Sequence, residues 1–319
     1  MYFEDCQPLT KFLIGAGGWT YFQVPGQDSL TAYSKAFNFV EVNSTFYKTP
    51  SIREVEVWRR RVPKGFEFTV RCHRDLTHKL KLEPVDESYR VLGEMTATCR
   101  TLESDILHLQ TPARLKFTDL KIQSVRNFFQ SANLKGIRIA WEVRQTGTQT
   151  PRTNLVKLMK DFNIVHCVDL SKEKPAYKSD VLYTRLFGKG EHNIYQFTDE
   201  ELKDIDKKAT RTSHTKVIVS FHGLRMYKDA ARFKIYKQTG RFPPVTKSVG
   251  LESLKEVLNE DTKFPTTKQQ LIQKQGWKVI DLSPTKRIHA SQILQTLPEQ
   301  TYRNMEDVLK TLEQGELPI

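Results

Sequence analysis

The chain of 319 residues contains no run of about eighteen apolar residues, which excludes an ordinary membrane-spanning helix. Cysteine is scarce. Cys6, Cys72, Cys99 and Cys167 stand far apart with no CxxC pair, so neither a disulfide framework nor a zinc ribbon is expected, and the scattered thiols read as cytoplasmic. The opening residues Met1–Cys6 are acidic and short, and we expect no secretion signal from them. No Walker loop occurs, and Gly15-Ala16-Gly17-Gly18-Trp19 departs from GxGxxG, with a Trp where a pyrophosphate would need room. HxH and HExxH spacings are missing too, so no metal site announces itself by sequence spacing.

What is present is a soluble globular composition, 38% hydrophobic and 27% charged, with a net charge of +13. Residues 245–319 carry equal numbers of acidic and basic side chains, so the whole positive excess lies before them. A surplus placed in this way suits a polyanion such as nucleic acid or an anionic substrate; lysines and arginines spread evenly for solubility are the alternative.

Short β-branched and aromatic runs recur at Phe12–Ile14, Phe39–Asn43, Phe66–Arg71, Asp105–Gln110, Ile137–Glu142, Ile164–Asp169, Val181–Leu186 and Lys216–His222. Most are almost continuously apolar, as strands covered on both faces must be. Amphipathic helical patterns fill the gaps except at Ser171–Ser179, which holds a Pro and no apolar period. Eight such units in 244 residues predict an α/β fold, a (β/α)8 TIM-like barrel with an incomplete sixth-to-seventh unit; a doubly wound sheet is the runner-up. From Pro243-Pro244 the texture changes, and residues 245–319 read as a small all-helical domain, a candidate docking module for protein or nucleic acid.

In a barrel the chemistry gathers at the C-terminal strand ends, where this chain places Trp19, Glu41, Asn43, Gln110, Glu142, Arg144, Asp169, Arg185 and His222, with His78 just past the third strand. The string Glu41-Val42-Asn43-Ser44-Thr45-Phe46-Tyr47 is the densest. Dry, unpaired polar groups at a strand end cost about 1–3 kcal/mol each, so this string either pairs across a site or awaits a ligand. Glu41, Glu142 and Asp169 are the candidate catalytic carboxylates and the candidate ligands of a divalent ion (Mg or Mn), with His78 or His222 assisting. The alternative is an ion network with Arg144 and Arg185 that only closes the barrel top. Trp19, Asn43, Tyr47, Arg144, Arg185 and His222 are the candidate substrate and phosphate contacts. Alternation turns Cys167 inward, where a core role is expected. Arg225, Lys228, Arg232 and Lys234 interleave with Tyr227, Phe233 and Tyr236, a mixture suited to a nucleic-acid strand or to a solvated helix face.

The residues Gly17-Gly18-Trp19-Thr20-Tyr21, Tyr33, Phe37-Asn38 and Glu41–Tyr47 resemble the YecE-like family, known as domain of unknown function 72. The resemblance continues through Trp58, Pro63, Phe66–Val70, Thr77-His78, Gln110-Thr111-Pro112, Glu142-Val143-Arg144, Tyr183, Arg185 and Gly188. It implies a TIM-like barrel related in shape to sugar isomerases and the endonuclease IV group, without a settled activity. The eighth strand departs from the family pattern, reading Ser220-Phe221-His222-Gly223, and Leu186-Phe187-Gly188 with Asn193–Phe197 looks like an archaeal branch. The leading expectation is a nucleic-acid-binding, metal-assisted nuclease or phosphodiesterase. A sugar or phosphosugar enzyme with paired carboxylates and a non-catalytic nucleic-acid-binding protein are the alternatives.

Overall fold

The computed structural model describes residues 10–144 and 152–315; Cys6 lies outside them. All eight apolar runs become strands: β1 Lys11–Ala16, β2 Phe39–Val42, β3 Glu67–Arg71, β4 Ile106–Thr111, β5 Arg138–Val143, β6 Val165–His166, β7 Val181–Leu186 and β8 Lys216–Phe221. They pair in parallel in the order β6-β5-β4-β3-β2-β1-β8-β7, and an isolated parallel bridge, Val168 to Thr184, joins the two ends into a nearly closed barrel. Between them in sequence run α1 Ser29–Ala36, α2 Ile52–Arg60, α3 Asp86–Thr101, α4 Asp119–Ser131, α5 Thr153–Asp161 and α6 Asp199–Thr210, and α7 Met226–Thr239 follows β8. As its Pro and missing apolar period predict, 171–179 forms no helix.

Strand alternation sets what fills the barrel. Leu13, Phe39, Ile106, Ala140, Val165, Val181 and Ile218 pack together with Cys167 and Tyr183 into one buried cluster. Two residues further along, β2, β4, β5, β7 and β8 carry Glu41, His108, Glu142, Tyr183 and Ser220 on the same inward face. The lower barrel is thus apolar and the C-terminal end polar.

β1 and β2 share only a short ladder, Gly15 with Phe39 and Ala16 with Val40. The Tyr33 hydroxyl reinforces it, accepting from Ala16 N at 2.8 Å and donating to Phe39 O at 2.9 Å. Gly15 makes this possible: a Cβ there would stand 2.1 Å from Phe39 O and 2.6 Å from the Tyr33 hydroxyl.

By contact density the chain divides into two units. One runs to Leu186 and resumes over Lys208–His222, and the other holds Phe187–Lys207 and continues from Gly223. In the second unit α8 Leu251–Asn259, α9 Lys268–Gln275, α10 Ala290–Leu294 and α11 Met305–Glu313 bury Leu254, Leu258, Leu271, Ile293, Leu294 and Leu312. The all-helical expectation for this tail needs correction. β9 Thr266–Thr267 pairs antiparallel with β12 Thr301–Tyr302, and β10 Val279–Asp281 with β11 Arg287–His289. Strands of two or three residues are too short to leave a period-two signal. Among the described residues no helix is long and apolar enough to cross a membrane.

Candidate functional site

Arg185, on β7, organises the polar end of the barrel. Its side chain is buried and clasps Glu41 from two sides, Nε to Oε2 at 3.0 Å and Nη2 to Oε1 at 3.0 Å. Nη1 reaches Gln110 Oε1 at 3.0 Å and also donates to Glu142 Oε2. Tyr183, two residues earlier on the same strand face, donates to Glu41 Oε2 at 2.7 Å and meets Thr69 Oγ1 at 2.7 Å. Burial alone would push Glu41 up, but the Arg185 guanidinium, helped by His222 and His108, outweighs it and holds the carboxyl well below the usual range. The same contest at Glu142, with Arg185, His108 and Arg144 opposing burial, also ends well below the usual range. Both carboxylates are therefore ionised at neutral pH and already compensated.

A second guanidinium, Arg71 at the end of β3, lies buried beside them. Nη1 donates to Asn43 Oδ1 at 2.6 Å, Nη2 to Gln110 Oε1 at 2.8 Å, and the group sits 3.7 Å from the Phe46 ring centre. Burial, then the repulsion of Arg185, pulls its pKa down to about 10. Its Nε is buried without a hydrogen-bond partner among the described residues. The string Glu41–Tyr47 thus resolves into parts: Glu41 binds Arg185, Asn43 binds Arg71, Thr45 Oγ1 ties Val42 O and Arg71 O at 2.7 and 2.6 Å, and Phe46 supports Arg71. Tyr47 packs edge-on against Phe46 and is 63% exposed.

His78 follows β3 in a short π-helical turn, Asp75–Lys79, half-buried and 5.1 Å from the Phe46 ring. Its Nδ1 pairs with Thr77 Oγ1 at 2.8 Å, and Nε2 has no hydrogen bond among the described residues. Burial, then the charges of Arg71, Arg114, Arg144 and Arg74, lowers its pKa, so the ring is neutral at pH 7. Four cations acting on one imidazole describe a positively charged mouth. Arg144 donates to Glu142 Oε1 at 2.7 Å with its side chain 44% exposed. Arg74 and Arg114 are exposed and have no ion pair among the described residues.

His222 closes the floor on the β8 side. Its Nε2 lies 3.0 Å from Ser220 Oγ and 3.7 Å from Glu41 Oε2, and burial, then Arg185, pushes its pKa down to about 4. The ring occupies the space a side chain at position 17 would need, since a Cβ on Gly17 would stand 2.2 Å from His222 Cε1. Gly17→Ala is therefore expected to displace His222 and cost about 1–3 kcal/mol, the range for an overpacked core. A thermal melt with an unchanged Tm would refute this.

Several expected roles change in the structure. Glu41 and Arg185 are committed to each other in the buried floor, and of the two candidate phosphate contacts Arg144 and Arg185 only Arg144 reaches solvent. Asp169 Oδ1 accepts from Ser171 N at 2.9 Å and Ser171 Oγ at 2.6 Å, and Lys172 stands 3.7 Å from Oδ2. Among the described residues Glu41, Glu142 and Asp169 do not gather around one point that could hold a divalent ion: Glu41 is held by Arg185 and Asp169 by its own turn. Trp19 is half-buried, edge-on to Trp58 at 5.3 Å. On α7, Arg232 is 4% exposed and bonded to Asp199 at 2.6 Å and Asp229 at 3.0 Å, so it cannot lie along a nucleic-acid strand. Arg225 pairs with Glu260 and lies over Trp277, and burial lowers the pKa of half-buried Lys234. Lys228 is exposed, 3.6 Å from Glu260.

Sequence reasoning passed over Arg71, and it placed His108 on one strand face with Gln110 without giving it a role. Each shares an inward strand face with a polar neighbour two residues away, Thr69 and Gln110, and that spacing was the available signal. His108 on β4 is fully buried, with Nε2 3.5 Å from Glu142 Oε2. Donor atoms of His108, Glu142 and Cys167 all lie within 4.8 Å of one another.

A family model described as "Protein of unknown function DUF72" matches residues 13–240. No curated protein matches the chain. Among solved structures, a DUF72 family protein from Enterococcus faecalis aligns at 16% identity with a TM-score of 0.57, over 73% of this chain and 99% of that one. A DUF72 family protein from Thermotoga maritima aligns at 20% identity and TM-score 0.55, over 72% and 99%. Endonuclease IV from Thermus thermophilus is more distant, at 8% identity and TM-score 0.45 over 72% and 98%. Likenesses of this depth concern the barrel fold and say nothing of the reaction.

Proposed function

The chain belongs to the DUF72 family of proteins of unknown function, and from that premise we propose that its barrel mouth binds a nucleic-acid strand and cleaves a phosphodiester bond. One observation carries the reading. The two carboxylates of the floor, Glu41 and Glu142, are matched by its two buried guanidiniums, Arg71 and Arg185, so the floor is balanced. Arg74, Arg114 and Arg144 then stand over it as surplus charge that acts on His78. Cations in excess of the anions that face them repel one another, and a phosphate supplies the missing charge.

Exposed aromatics favour a strand over a bare phosphosugar. Tyr47, and Tyr21 on the loop after β1, are 63% and 80% exposed and offer rings on which bases stack. In this reading neutral His78 takes the proton of an attacking hydroxyl, the new oxygen–phosphorus bond forms as the bond to the ester oxygen breaks, and the departing oxygen takes a proton from water. Arg114 and Arg144, the exposed pair, hold the phosphoryl oxygens while their negative charge grows. Glu142 positions Arg144.

The test is fluorescence anisotropy with labelled single- and double-stranded RNA and DNA across a salt series. Arg114→Gln and Arg144→Gln should each weaken binding about tenfold and flatten the log–log salt slope by about one. Affinity indifferent to both salt and these substitutions would end the nucleic-acid reading. Displacement of the strand by a simple phosphosugar at equal concentration would transfer the site to a small substrate.

A further inference from the structure

The proposed cleavage leaves His108 and Cys167 unused, although they are the most chemically capable pair in the barrel floor. We propose that His108, Glu142 and Cys167 form a binding site for a borderline-soft divalent ion of the zinc type.

Three neighbouring strands deliver the donors. In the β4–β5 register Gln110 faces Glu142 and His108 faces Ala140, so His108 and Glu142 are diagonal neighbours on the inward face. The β5–β6 register pairs Ala140 with Val165 and Trp141 with His166, and its next step sets Glu142 beside Cys167. One imidazole, one carboxylate and one thiol thus converge, with all donor atoms within 4.8 Å of one another. Tetrahedral coordination at ordinary zinc–ligand lengths needs donors roughly 3.3–3.8 Å apart, a contraction within reach of small side-chain rotations.

His108 supplies the independent observation. It is fully buried, and neither ring nitrogen has a hydrogen-bond partner among the described residues. Glu142 Oε2, at 3.5 Å from Nε2, is too far or too poorly aligned to serve. An unpaired buried polar atom costs about 1–3 kcal/mol, and an ion bound at one ring nitrogen would relieve that cost. Burial, with Arg185 adding to it, keeps this imidazole neutral, the form that ligates.

The donor set also selects the ion. One nitrogen, one sulfur and one carboxylate oxygen suit zinc and disfavour magnesium or calcium, which require oxygen shells. Binding exchanges the Cys167 thiol proton for the metal, so one proton is released per ion. A dication between a thiolate and a carboxylate is neutral as a group, but it draws on the Glu142 charge that also faces Arg185, so binding adds one net positive charge to the floor. Three protein ligands is also the number that leaves a coordination position open.

The full-length reduced chain, freed of metal by chelator dialysis, is equilibrated with cobalt(II) and then zinc(II). We expect one equivalent bound, a cobalt–thiolate charge-transfer band that zinc abolishes, and release of one proton. Cys167→Ser should remove the band and weaken zinc binding at least 100-fold, while Cys99→Ser, remote from the site, changes neither. Native mass spectrometry of the unmodified chain gives a reading that needs no variant: one ion retained at neutral pH and lost in acid. A folded wild-type chain that retains no metal, or an equal band in folded Cys167→Ser, overturns the proposal. Neither result bears on the cationic mouth, whose test uses oligonucleotide affinity.

Discussion

Arg185→Met is expected to destabilise the first unit by roughly 3–5 kcal/mol, because it strips Glu41 of its counter-charge while leaving it buried. For a unit of this size that corresponds to a fall in Tm on the order of 6–20 °C. The pH dependence makes the cause identifiable. In the wild type Glu41 has a folded pKa well below 4.5, so its contribution is present above the unfolded value and is lost as pH falls through the folded one. In the variant burial has lost its largest opponent, leaving only His222, His108 and the Tyr183 hydroxyl against it, and the folded pKa is expected to rise above the unfolded one. Its contribution is then present below about 4.5 and is lost as pH rises. Urea denaturation at pH 7 and pH 5 should therefore show the gap between wild type and Arg185→Met narrowing on acidification. Glu41→Gln added to Arg185→Met should recover part of the loss, since no buried charge then remains to compensate. A gap that is constant with pH, or no gap, would mean that Arg185 does not hold the floor together.

His78→Gln is expected to lower phosphodiester cleavage by about 10²–10⁴-fold, the usual contribution of a positioned proton-transfer group. Strand affinity should change little, because Arg71, Arg114 and Arg144 remain. Since the lowered pKa of His78 keeps the ring neutral, kcat/KM in the wild type should be flat across pH 7–8 and fall only as pH drops through a value below 6.5. That acid limb should vanish in the variant. Cleavage that survives His78→Gln within threefold would move the proton transfer elsewhere. Equal loss of binding and cleavage would assign the ring to substrate contact instead.

Much of the barrel was legible because parallel strands covered on both faces must be apolar along most of their length, and their spacing follows the helices between them. All eight apolar runs became strands, and Ser171–Ser179, lacking an apolar period, formed no helix. Position at the mouth was legible as well, since a polar residue two places beyond an apolar one on the same strand face can only lie nearer the C-terminal end. Partnership was not. Arg144 and Arg185 both looked like phosphate contacts, yet one reaches solvent and the other is clasped by Glu41 at 3.0 Å from two nitrogens. Likewise Arg232 had the helical spacing of a basic face and instead lies buried between Asp199 and Asp229.

The sequence by itself determined the order of elements, the apolar lower barrel and the ring of polar residues at its C-terminal end, because hydrophobic periodicity is local and burial follows from it. Only the tertiary structure decided which charges cancel. Glu41 and Arg185 are 144 positions apart and become one ion pair, while Asp169 turns back to Ser171 two residues away. Coulomb energy depends on distance and burial, and neither can be read from spacing along the chain. For that reason the three-carboxylate metal set expected from strand ends is replaced by a balanced floor, a surplus of arginine above it, and a buried histidine with both nitrogens unpaired beside a thiol and a carboxylate.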